Sequence, residues 1–140
     1  MSSQIVAYHT KIMSIVQETE ATLRSDEPDL MALGGLRWAL GRTLGDYQLF
    51  KHTRFFDPLL ERGTTRQVAI AERMKRACIT AGIEYRAFVA EWDANSILDR
   101  WPHYRPAALA IMARIRAHID AERDGLVQLL QADQPPTLVA

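Results

Sequence analysis

Apolar residues recur at helical spacing in four long stretches of this chain, and nowhere alternate at a two-residue period for long enough to suggest a sheet. In the first stretch, from Ser3 to about Leu23, one face carries Ile5, His9, Ile12, Val16 and Leu23, with Met13 and Ile15 beside it. Gln4, Lys11, Gln17 and Glu18 fall on the other side. The second stretch begins after Asp29 and runs to about Phe56. Two neighbouring lines run along it: Leu33, Leu36, Leu40, Leu44 and Tyr47, then Trp38, Gly41, Gly45, Leu49, His52 and Phe56. The third, Thr65 to Trp92, is lined by Ile70, Met74, Cys78, Ala81, Tyr85, Phe88 and Trp92. The fourth, Ala107 to Leu130, opens behind Tyr104-Arg105-Pro106, and proline suits a first helical turn because its missing N–H has no partner there. Its inner line reads Ile111, Ile115, His118, Glu122, Leu126 and Leu129.

The breaks between stretches have their own chemistry. Ser25-Asp26-Glu27-Pro28-Asp29 is a turn cluster. Asp57-Pro58 should end or bend the second helix, since the residue before proline avoids helical geometry. Arg62-Gly63-Thr64-Thr65 is a further turn, with a threonine to cap the third helix. Asp93 to Ser96 opens an irregular connection, with a short turn at Ile97 to Trp101. Trp101, His103 and Tyr104 read as a plug over one end of the core. Gln134-Pro135-Pro136 closes the ordered part, leaving residues 133–140 as a flexible tail. Four amphipathic helices with short connections predict an all-α fold, an antiparallel up-down four-helix bundle forming one domain over residues 1–132. Gly34, Gly35, Gly41 and Gly45 weaken the second helix by roughly 1 kcal/mol each relative to alanine. Packing is the expected compensation: Gly41 and Gly45 would admit a neighbouring helix closely, or a homodimer contact.

Composition narrows the function classes. Seventeen basic residues balance 17 acidic ones, so no electrostatic footprint for nucleic acid or an anionic membrane exists. No apolar run could cross a bilayer and the start lacks a signal pattern, which predicts a cytoplasmic protein. Cys78 is the only cysteine, which excludes an internal disulfide and a cysteine-based zinc cage. It reads as a small core residue, with no Cys/His pair on matching faces.

His9, His52 and His118 occupy apolar helical faces, and Glu122 comes one turn after His118 on the same line. A titratable pair on a buried line needs a partner, a proton adjustment or a metal. Imidazole with carboxylate suits iron, zinc or manganese. The arrangement His9-Thr-Lys-Ile12, Lys51-His52-Thr-Arg-Phe-Phe56 and His118-Ile-Asp-Ala-Glu122 resembles the hemerythrin-like, or HHE cation-binding, family. That resemblance implies a four-helix bundle whose core holds a metal centre, most famously a di-iron site that binds oxygen. Two positions depart from it. Phe56 stands where the family has a bridging glutamate, and Arg73, after Glu72, stands where it has a third-helix histidine. A di-iron centre is therefore not expected. Two readings remain: a non-enzymatic binding or sensing protein with an eroded cation centre, or a metalloprotein holding one ion through His9, His52, His118 and Glu122 for oxygen or redox sensing. In the first, Glu122 would pair with His118 or with a buried arginine such as Arg73.

Overall fold

The computed structural model describes residues 3–132, and the tail expected over 133–140 lies outside them. Among the described residues every regular element is helical: α1 (Ser3–Leu23), α2 (Leu30–Lys51), α3 (Asp57–Arg62), α4 (Thr65–Glu91), α5 (Ala94–Asp99) and α6 (Trp101–Ala132). No helix among them is long and apolar enough to cross a membrane.

The helix starts are set by side chains. Asp29 accepts from the Ala32 N–H at the head of α2. Thr64 and Gln67 exchange hydrogen bonds at the head of α4, satisfying two donors that would otherwise lack partners. At the head of α5, Asp93 accepts from the Ser96 N–H. Two boundaries differ from expectation. The last helix starts at Trp101, six residues earlier than Ala107, and carries Pro106 inside it. One lost backbone bond near a helix start is cheaper than breaking a segment whose Tyr104 and Ala108 are buried. The second difference is at Asp57-Pro58. The chain bends there without stopping, through a single π-helical turn, His52–Phe56, that leads straight into α3. The Asp57 N–H reaches back five residues to the His52 carbonyl. The widened turn leaves room ahead of a proline ring that would crowd an α-helix.

The packing is unequal. α1 lies against α2 and α6, and α4 lies against α6. Arg116 of α6 pairs with Glu20 of α1, and Arg105 with the Arg24 carbonyl, while Glu122 meets His9, so the two helices run in opposite senses. Arg114 with Glu84 and Arg73 with Gln128 give α4 and α6 the same relation. The inner lines expected for α1 and α6 are buried except at His118, which is half-buried. A second cluster gathers Leu23, Leu33, Trp92, Ile97, Tyr104 and Ala108 at one end, with Trp101 packed on it, as expected of a plug; His103 is exposed.

α2 and α4, by contrast, hardly touch along their length. At one end Arg37 bridges them, donating to the carbonyls of Val89 and Trp92. At the other, the π-turn and α3 close onto α4. Between these ties lies a cleft of about 1310 Å³. Gly41 and Gly45 face it, and neither has a close neighbour: a Cβ at Gly45 would meet nothing within 4 Å, and one at Gly41 only Tyr85 at 3.9 Å. The expected close approach of a helix to these glycines is not there; they widen a gap. Trp38, on the same line, is 65% exposed at the cleft wall.

Candidate functional site

The floor of the cleft is built around Glu122, which is 5% exposed. Apart from His118 its helical line is apolar, so the carboxylate is carried into the core by its neighbours Ile115, Ile119 and Leu126. Tyr47 donates its hydroxyl to Oε1. His9 Nε2 lies 2.9 Å from the same oxygen and 2.7 Å from the Tyr47 hydroxyl. Lys51 Nζ donates to Oε2 at 2.7 Å, and His118 Nε2 stands 3.5 Å from Oε2. Lys51 is itself only 4% exposed, with its ammonium 4.1 Å from the centre of the Tyr47 ring.

Burial alone would raise the Glu122 pKa; hydrogen bonds from His118 and His9 and the charge of Lys51 outweigh it and hold the carboxylate ionised. The Tyr47 hydroxyl is pushed up by burial and by the adjacent Glu122 charge, so it stays a donor. His118 is pushed up to about 9, first by the Cys78 thiol and then by Glu122. Burial pushes the Cys78 thiol up, but His118 and Lys51 outweigh that and hold it below its ordinary value. Donor atoms of Cys78, His118 and Glu122 lie within 4.8 Å of one another. The expectation that no cysteine and histidine share matching faces is therefore corrected. Cys78 of α4 and His118 of α6 meet at the cleft, because α4 and α6 pack side by side with opposite sense.

Three of the four residues expected to hold a cation do gather: His9, His118 and Glu122. His52 does not join them. Its ring packs edge-on against Phe56, its Nε2 is buried without a partner, and no hydrogen bond or ion pair ties it to Glu122. Burial and the charges of Lys75 and Lys51 push its pKa down. Phe56, fully buried, is core. Arg73 points away from the floor, donating to Gln128 on the exposed side.

The donor set does not suit a metal ion. Both Glu122 oxygens already accept strong donors, and one donor is an ammonium at 2.7 Å, where an incoming cation would meet a like charge. The residues that sequence reasoning missed are Lys51 and Tyr47. Tyr47 lies on the expected apolar line of α2, and Lys51 is one turn further along it. A lysine on a buried line opposite a buried glutamate was the available signal.

Comparison with family models, with curated proteins and with solved structures gives no match for this chain. What the site does must be argued from its own chemistry. The walls are largely apolar, with Leu44, Ala81, Tyr85, Ile111, Ile115 and Trp38 among them, and the floor presents Lys51, His118 and Cys78. The cationic side chains of the floor are Lys51 and His118, both facing the Glu122 carboxylate.

Proposed function

We propose that this chain is a non-enzymatic ligand-binding protein on a hemerythrin-like plan, an antiparallel four-helix bundle in which α1, α2, α4 and α6 are the long members. In this reading the cation centre is eroded. The ammonium of Lys51 supplies the positive charge that a metal supplies in such bundles. The cleft between α2 and α4 takes an apolar small molecule whose oxygen-bearing end, above all a carboxylate, meets Lys51 and His118. One observation carries the proposal: an apolar cleft of about 1310 Å³ ends on a floor lined by Lys51 and His118. Ligand sites combine these parts, an apolar enclosure for affinity and a few polar groups for orientation. The opposite running sense of α1 and α6, and of α4 and α6, supports the bundle.

The test is calorimetric titration with laurate and with dodecanol, which share a chain and differ at the head. Laurate should bind about 10-fold more tightly, a difference of about 1.4 kcal/mol. Gly45→Trp, which fills the cleft without touching the floor, should weaken both. Equal affinity for the two heads would remove the polar floor from the reading, and no binding of either would remove the cleft.

A further inference from the structure

The floor holds a nucleophile that ligand binding alone does not use. Cys78 faces the cleft but is buried from bulk solvent, so a reagent reaches its sulfur only through the cleft. The His118 imidazole lies beside it, with Nε2 3.5 Å from Glu122, and the donor atoms of all three residues lie within 4.8 Å of one another. Glu122 is in turn fixed by Lys51, Tyr47 and His9. A thiol beside an imidazole that a carboxylate holds is the general arrangement of an activated nucleophile.

We infer that Cys78 covalently captures apolar conjugated ketones that enter the cleft. The step balances without a further reagent. The thiol proton rests on the His118 imidazole, and the thiolate sulfur forms a bond to the β-carbon. The carbon–carbon π pair shifts toward the carbonyl as an enolate, and His118 returns the proton to the α-carbon. The product is a saturated ketone joined to Cys78 by a thioether, with nothing oxidised, reduced or released. His118 carries the proton, and Glu122 acts as a positioning residue. An apolar chain on the ketone is called for because the walls are apolar; a small oxidant such as a peroxide would have no use for a cleft of this size.

This inference rests on the cleft being a binding site, and the experiment separates the two. Native protein is treated with hexyl vinyl ketone and with methyl vinyl ketone, which share a reactive end. Each rate is divided by that of N-acetylcysteine at the same pH. The hexyl compound should show a normalised rate about 10-fold or more above the methyl compound, with the adduct mapped by peptide mass to Cys78, and laurate should slow it. His118→Gln should slow labelling by the hexyl compound about 10-fold. Similar normalised rates for the two ketones, or adducts on lysine or histidine in place of Cys78, would overturn the inference. Unchanged labelling in folded His118→Gln would overturn the role of that imidazole. If that variant does not fold, the two-ketone comparison on the native chain decides alone. Laurate binding without selective labelling sinks the covalent step and leaves the binding reading standing; loss of both sinks both.

Discussion

Replacing Glu122 with leucine tests the electrostatic core most directly. The variant keeps an apolar side chain of similar size on the inner line of α6, but it strands the Lys51 ammonium, which is 4% exposed. The native pair is separated by 2.7 Å. At an effective dielectric constant of about 20, that separation corresponds to roughly 6 kcal/mol of attraction, most of which offsets desolvation of the two ions. Removing one member leaves the desolvation of the other uncompensated, for an expected loss of about 3–5 kcal/mol. With a urea slope of about 1.5 kcal/mol per molar, the unfolding midpoint should fall by about 2–3 M. Lys51→Met should cost less, about 1–3 kcal/mol, because His9, Tyr47 and His118 still face the carboxylate. In the double variant no charge is stranded, and His9 and Tyr47 keep their mutual contact at 2.7 Å. It should therefore be more stable than Glu122→Leu alone, with a coupling of at least about 2 kcal/mol in the cycle. Urea denaturation followed by far-ultraviolet circular dichroism supplies all four corners. If the two single losses add to within about 0.5 kcal/mol, Lys51 and Glu122 do not form the electrostatic unit described.

The same geometry leads to three further outcomes. His118 is raised from 6.5 to about 9 in the fold, so its contribution is fully present below about pH 6.5 and is lost as pH rises through about 9. The urea midpoint should fall between pH 7 and pH 10 by the equivalent of about 1–3 kcal/mol, less in His118→Gln; Cys78→Ala should lower the imidazole pKa read by NMR, and an unmoved value would dissociate the two side chains. Gly34→Ala and Gly35→Ala, where a Cβ would meet nothing within 4 Å, should each raise stability by up to about 1 kcal/mol in thermal unfolding, and a loss would mean that the interior of α2 is not helical as described. Protein purified without a histidine tag should carry under about a tenth of an equivalent of iron, zinc or manganese by mass spectrometry, whereas stoichiometric metal lost in Lys51→Met or Glu122→Leu would refute the substitution of ammonium for ion.

Much of the fold was legible because helical periodicity reports which face is buried. The lines Ile5–His9–Ile12–Val16–Leu23 and Ile111–Ile115–Glu122–Leu126 were correct down to His9 and Glu122, while His118 is half-buried. The site was legible only in part. Periodicity places a residue on a face but does not say which of two apolar lines on α2 meets a partner. The line through Leu33, Leu40 and Tyr47 is buried, whereas that through Trp38, Gly41 and Gly45 borders a gap. Spacing within a chain also says nothing about how far two helices stand apart, which is why the meeting of Cys78 with His118 could not be read from it. Charge scales misplace Lys51 for a related reason: a lysine counts as surface until its carboxylate partner is known to be buried opposite it.

The π-turn at His52–Phe56 accommodates one residue more than an α-helix of equal length would need. Were this turn to close into an α-helical ladder with the extra residue retained, everything after it would swing by about 100°. Phe56 would leave the interior, and the lower fastening between α3 and α4 would come out of register. That surplus residue thus acts as a spacer, and the width of the opening above it is tied to a count of amino acids as well as to their chemistry.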